Sequence, residues 1–492
     1  MMTRRAVTAL TGTLAALLLS CGGNGPQFAS SQFANRCAAP RAGQDVQGSL
    51  TDEKTWLRMW TDELYLWYRE VPNLDPAAYD TTLKYFADLK TTAKTPSGND
   101  KDRFHFTIPT AQWLSLSGSG VEVGYGVQWA VLVPTGQRDV RVAYIDPNTP
   151  AASAPIARGA KVLKVDGVDV TSGPAAALNA GLFPAAAGEN HTFTIQDVGA
   201  TATHDVPLTS ANVTSTPVQK VQKIPNTTVG YMLFNDHIAT SEAQLIQAIG
   251  QLKQLGVTDL VVDIRYNGGG FLAIASELAF MIAGPAATGG KTFEQLAFND
   301  KYPNVDPVAG QPLTPTPFFS TAVNLSAPRG QPLPSLGLNR VFVLTGPGTC
   351  SASESIINGL RGIDVQVIQI GSHTCGKPYG FYPADNCATT YFSIQFKGVN
   401  AKGFGDYPDG FVPNGTGVAG VPGCQVADDF DHPLGDPAEA RLAAALGFVA
   451  GQACPAPTGL QAAPRTALSA AAAASDPILT KQPWRENRIL QR

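Results

Sequence analysis

The feature that most narrows the fold is an alternation of short apolar runs with amphipathic stretches from residue 229 onward. Val229-Gly-Tyr-Met-Leu-Phe234, Leu260-Val-Val-Asp-Ile264, Arg340-Val-Phe-Val-Leu344 and the run over 365–370 are strand-length and rich in β-branched and aromatic residues. Between them, 241–255 puts Leu245, Ile246, Ile249 and Leu252 on one helical face, and further helices are expected over 271–282 and 351–360. Strands without a polar face must be covered on both sides, so the pattern predicts an α/β core with largely parallel pairing. A chain of 492 residues exceeds one domain, and its 44% hydrophobic content is enough to build more than one core.

Upstream, 49–117 reads as a small helical domain. Trp56, Trp60, Leu64 and Trp67 recur at helical spacing, Pro72-Asn73 breaks the pattern, and a second helix is expected over 79–89. These aromatics read as packing residues. Residues 118–210 turn β-rich: Val140-Arg-Val-Ala-Tyr-Ile145 alternates, a short helix fits 151–157, and a strand over 161–165 runs into the turn Asp166-Gly167. The α/β core then occupies 211–455, with a Pro-rich surface insertion over 303–335 and a closing helix over 438–448. The remainder, 456–492, is expected to be disordered.

The first 21 residues form an export leader. Arg4 and Arg5 precede an apolar run over 6–19 that is too short to span a bilayer comfortably. Residues 22–48 are rich in small and polar residues and read as a tether. Cys37, Cys350, Cys375, Cys387, Cys424 and Cys454 remain beyond Cys21, and in an exported chain they point to disulfides. Sequence leaves the pairing open, with Cys350–Cys375 and Cys375–Cys387 as competitors. Close CxxC pairs are missing, which disfavours a zinc cluster, and no metal or organic cofactor is expected. A net charge of −4 without a basic block gives no reason to expect nucleic acid.

The chemistry-bearing residues lie in three loops that follow predicted strands. In Thr349-Cys-Ser-Ala-Ser-Glu354, Ser351 opens a helix, where unsatisfied amides favour developing negative charge; a plain N-cap is the alternative role. Gly376-Lys377 follows the next strand, and a lysine can serve as base to a serine if burial brings its pKa down. Asn267-Gly-Gly-Gly270 is a turn whose amides, those of Gly269 or Gly270, can form an oxyanion hole with that of Ala352. No Gly-Lys-Ser/Thr follows the turn, so it is not a phosphate loop. Ser353, Ser355 and His373 rank below these residues, Cys350 is a weak alternative nucleophile, and Glu354 reads as a loop-fixing cap.

Together, Asp263-Ile-Arg265-x-Asn267-x-Gly-Gly270, Ser351-Ala-Ser-Glu354 and Gly376-Lys377 resemble the C-terminal-processing peptidases, the tail-specific serine peptidases related to tricorn protease. The resemblance covers roughly 50–450, including Asp102-Arg103-Phe104. It implies a ClpP/crotonase-like α/β core, Ser351 as nucleophile, Lys377 as general base, and Ala352 with Gly269 or Gly270 as oxyanion donors. The implied substrates are polypeptides entered near their C-termini. One departure is Phe381, which stands where many relatives carry a glutamine that orients the lysine.

The order of elements over 118–210, with Pro150-Ala151-Ala152 and Asp166-Gly167, looks like a bacterial PDZ domain. Its carboxylate-binding loop falls at Gly124, Tyr125, Gly126 and Val127. Leu18-Leu-Ser-Cys21 resembles a lipobox, which implies lipidation at Cys21 and an envelope location facing the periplasm, the outer membrane included; an ordinary signal peptide is the alternative. The runner-up function is a catalytically silent peptide-binding lipoprotein of the same fold.

Overall fold

The computed structural model describes residues 28–133 and 137–455, together with the backbone of 488–489. The leader with Cys21, and tail residues 456–487 and 490–492, lie outside the described residues. Among the described residues no helix is long and apolar enough to cross a membrane.

Residues 28–48, expected as part of a tether, instead pack on the body. Cys37 is fully buried and disulfide-bonded to Cys387, and the Asn35 amide donates to Asn386 Oδ1 at 2.7 Å. A cross-link of this kind contributes about 2–4 kcal/mol by restricting the unfolded chain, an effect to which local composition is blind. Next come α1 (Leu50–Leu64), whose N-cap Ser49 accepts the Asp52 amide, and α2 (Thr82–Asp88). Trp56 and Trp60, one turn apart on α1, stack with ring centroids 5.3 Å apart, in keeping with a packing role. The helical reading of this region fails at Phe106–Pro109, a strand that pairs antiparallel with Thr389–Phe392. Cross-chain pairing overrides local pattern here, and it stitches the N-terminal helices to the core. α3 (Thr110–Ser119) follows and ends on left-handed Gly120.

The β-rich unit contains β1 (Val127–Val133), β2 (Asp139–Ile145), β3 (Lys161–Val165), α4 (Ala175–Leu182), β4 (Asn190–Gln196) and β5 (Thr203–Thr209). Its strands pair antiparallel in the order β5-β4-β3-β2-β1 around a core of its own that includes Val140, Val162, Leu178 and Phe193.

The larger sheet runs through β6 (Val218–Lys223), β7 (Val229–Phe234), α5 (Ser241–Gln254), β8 (Asp259–Asp263), α6 (Leu272–Thr288), β9 (Arg340–Thr345), α7 (Ala352–Gly362), β10 (Gln366–Gly371), β11 (Gly423–Gln425) and α8 (Ala440–Val449). The strand order is β6-β7-β8-β9-β10-β11, parallel from β7 onward. Side chains alternate across it. On one face Met232, Phe234, Leu260, Val262, Val341 and Val343 join a core with helices α5 to α7, to which α5 contributes Leu245, Ile249 and Leu252. On the other face Tyr231, Leu233, Val261, Phe342 and Leu344 join Leu442 and Ala445 of α8. Covered on both faces, the strands need no polar side, which is why they read as unbroken apolar runs.

The insertion over 303–335 is fastened rather than free. The Glu242 carboxylate accepts the amides of Val323, Asn324, Leu325, Ser326 and Ala327 at 2.6–3.2 Å. Beside it, Glu277 is fully buried, and burial together with the Glu242 charge pushes its carboxyl up to about 9. The folded chain therefore keeps a proton that the unfolded chain releases near 4.5, so this group's contribution is full below that pH and is lost as pH rises toward 9. Glu277→Gln, neutral throughout, is expected to raise stability at pH 8 by on the order of 3 kcal/mol and to leave it unchanged at pH 4. Urea titrations at the two pH values check this; an equal effect at both would refute the assignment.

Candidate active site

Three loops leave the carboxyl ends of β8, β9 and β10 at one edge of the parallel sheet, the place where open α/β sheets hold their ligands. They are knitted together before any chemistry is considered. Thr349 Oγ1 donates to the Ile264 carbonyl at 2.8 Å, the Cys350 amide to the Asn267 carbonyl at 3.1 Å, and the Cys375 amide to the Thr349 carbonyl at 2.9 Å.

Ser351 caps α7, fully buried, with φ +60° and ψ −114°. A serine held in that region stores about 1–3 kcal/mol of backbone strain, which the surrounding loops must offset. Its Oγ has no hydrogen-bond partner among the described residues. Ser353 Oγ is engaged by the Asn267 carbonyl at 3.0 Å, and Ser355 Oγ by the Ser351 carbonyl at 3.3 Å. Ser351 is thus the member of the trio whose hydroxyl is unspent. Ala352 lies in the first turn of α7, where amides lack helical acceptors.

The loop of Lys377 is tied to that of Ser351 by two devices. Cys350 and Cys375 form a disulfide, the first of the two pairings weighed from sequence; Cys387 belongs instead to Cys37, and Cys424 pairs with Cys454. The second device is Glu354. One of its oxygens accepts the amides of Ser351 (2.9 Å) and Lys377 (2.8 Å), and the other accepts Thr374 Oγ1 (2.5 Å) and the Gly376 amide (2.8 Å). Burial raises the Glu354 carboxyl above its ordinary range, against the pull of these bonds. The cap expected from sequence is therefore a clamp joining both loops.

The Lys377 side chain is fully buried, with Nζ 4.7 Å from the ring centre of Phe104 and 4.6 Å from that of Phe381. Phe381, which replaces the orienting glutamine, thus forms one wall of an aromatic slot around the amine. Phe104 forms the other, delivered by the N-terminal region, where the Arg103 guanidinium bonds the Cys375 carbonyl and buried Asp102 accepts Tyr65 Oη at 2.7 Å. Sequence placed Asp102-Arg103-Phe104 in the motif without revealing this contact.

The glycine turn has a support that sequence reasoning missed. Asn267 Nδ2 donates to the Phe234 carbonyl at 3.0 Å, and Asn267 Oδ1 accepts the Gly269 amide at 2.9 Å. That fixes the side-chain amide, so His237 Nδ1, 2.9 Å from Oδ1, must be the donor in their contact. Burial pushes His237 down to about 3, keeping the ring neutral. Gly270 has φ +143°, and a Cβ there would meet the His237 carbonyl oxygen at 2.4 Å, so only glycine fits. The Gly269 amide is thus spent on Asn267, while Gly270 opens a short strand. The strand Gly270–Phe271 pairs in parallel with Arg488–Ile489, a part of the tail that was expected to be disordered.

Beneath the turn, buried Arg265 binds Asp263 (2.9 Å), Asp428 (2.7 Å) and both oxygens of Glu439 (2.7 and 2.9 Å). Arg158 of the β-rich unit joins this cluster through Asp428 (2.9 Å) and Tyr266 Oη (2.7 Å). Gly124, Tyr125, Gly126 and Val127 lie apart from the three loops, in the β-rich unit: buried Tyr125 donates its hydroxyl to the Gly181 carbonyl at 2.8 Å. His373 is half-buried in the loop that leads to Lys377.

The family model of peptidase family S41 matches residues 228–380, from the start of β7 to just beyond Lys377. Residues 228–380 are an S41 peptidase domain. The S41 domain contains the glycine turn, Ser351, Glu354 and Lys377. A carboxyl-terminal-processing protease of Picosynechococcus sp. (strain ATCC 27264 / PCC 7002 / PR-6) is 26% identical over 271 residues. That match covers 54% of this chain and 56% of the relative, so the chain aligns with little more than half the relative's length. A solved structure from Bacteroides fragilis NCTC 9343, classed with the S41 proteases, superposes with a TM-score of 0.62 at 22% identity, over 80% of this chain and 97% of that one. The shared mixed α/β fold thus extends beyond the S41 domain.

Proposed function

We propose that this chain is a serine endopeptidase acting through Ser351 and Lys377. The observation that carries this reading is a buried, strained serine at a helix N-terminus, its hydroxyl unspent, clamped by Glu354 and a disulfide to the loop of a buried lysine. Lys377 takes the Ser351 proton as Oγ attacks a peptide carbonyl, and the amides of Ala352 and Gly270 receive the oxyanion. The C–N bond then breaks as Lys377 passes that proton to the leaving amine, and water, deprotonated by the again neutral lysine, hydrolyses the acyl-enzyme and returns the proton to Ser351. Substrates are exported polypeptides cleaved near their C-termini. The core is of the ClpP/crotonase type, and the β-rich unit is a PDZ-like module that holds peptide tails at Gly124 to Val127. A lipid at Cys21 anchors the chain in the bacterial envelope, facing the periplasm. Support comes from the S41 domain, the loop geometry and the leader sequence.

A fluorophosphonate probe is expected to label the native chain at Ser351 and to leave Ser351→Ala unlabelled, as read by peptide mass mapping. A native chain that resists the probe and cleaves no unstructured polypeptide would be a silent peptide-binding protein instead.

A further inference from the structure

The backbone segment Arg488–Ile489 lies in a revealing place. Gly270 stands opposite Arg488 and Phe271 opposite Ile489, in parallel register. The other edge of Gly270–Phe271 is taken by His237, whose carbonyl accepts the Phe271 amide at 2.8 Å. The same tail segment also lies near Tyr379–Gly380, a strand that pairs antiparallel with Phe396–Lys397. The segment therefore occupies a slot walled on two sides by strands. One wall begins at the glycine proposed as oxyanion donor, and the other begins just past Lys377. Main-chain groups on free strand edges bind extended polypeptide irrespective of its side chains.

We infer that this slot is a binding site for an extended polypeptide strand and that Arg488–Ile489 of this same chain is its resident ligand, competing there with other polypeptides. The identification of the competitors as substrates rests on the peptidase reading; the binding does not. A tethered segment has an effective concentration on the order of 1 mM, so an intrinsic Kd of about 100 μM suffices for roughly 90% occupancy. Displacing the tail should then tighten the apparent affinity for a competing strand about tenfold.

The test uses the full chain carrying Ser351→Ala, with either the native tail or Arg488→Pro and Ile489→Pro together. Proline cannot donate to a strand ladder. The probe is a fluorescent synthetic peptide of residues 484–492, and its binding is read by anisotropy. The expected result is a Kd about tenfold lower for the double-proline chain than for the native tail. Equal affinities, or no binding to either chain, would overturn the inference. Fluorophosphonate labelling of the two tails with Ser351 intact separates the two readings. Labelling without the affinity difference removes the resident ligand and keeps the peptidase; the affinity difference without labelling does the reverse.

Discussion

Lys377→Met is expected to lower peptide turnover roughly a thousandfold or more while the chain keeps its fold. Methionine is apolar and unbranched, so it can lie between the rings of Phe104 and Phe381 where the amine now sits. The exchange keeps the length of the side chain and its contacts in the slot, so the chain should stay folded, as read by thermal unfolding. The sharper test is a cycle with Ser351→Ala. Two residues that act as one catalytic unit lose nearly everything with the first substitution, so the double variant should be no slower than the worse single one. Losses that multiply would mean that Lys377 acts independently of Ser351, and the pairing would have to be abandoned.

Why was the convergence of these loops legible from sequence while their surroundings were not? The α/β core announced itself because strands covered on both faces must be apolar through their middles, as Met232 to Phe234 of β7, Leu260 to Val262 of β8 and Val341 to Leu344 of β9 are. Loops at the ends of parallel strands share one edge, so Ser351, Lys377 and the glycine turn could be brought together on topology alone. The slot around the amine could not. Phe104 reaches Lys377 across a great length of chain, through a strand, Phe106–Pro109, that pairs with Thr389–Phe392 and that local pattern read as helix. Residues 28–48 misled for a similar reason: small and polar residues suggest a tether, but one disulfide to Cys387 fixes them. His237 and the spent amide of Gly269 left no sequence signal, since a lone histidine beyond a strand has many ordinary uses.

Glu354→Gln should separate positioning from chemistry. The carboxylate takes two donors on each oxygen, and one of those oxygens ties the Ser351 and Lys377 amides through a single atom. In glutamine one oxygen becomes an NH₂, which faces two donors whichever way the amide turns. Hydrogen bonds to a charged group are worth about 1.5–3 kcal/mol each, so losing two is expected to cost about 3–5 kcal/mol of loop order. The disulfide between Cys350 and Cys375 still holds the loops, so the cost should appear as misplacement of Ser351 against Lys377 rather than as unfolding. Turnover is expected to fall about a hundredfold with KM little changed, since an error of an ångström in a reacting pair is enough for that loss. Glutamine also resembles the protonated acid, and burial raises the carboxyl toward neutrality, so the native enzyme should lose activity on the acid side through the same lesion. A Glu354→Gln chain with native turnover, or one in which KM alone rises, would show that the clamp does not set the geometry of the pair.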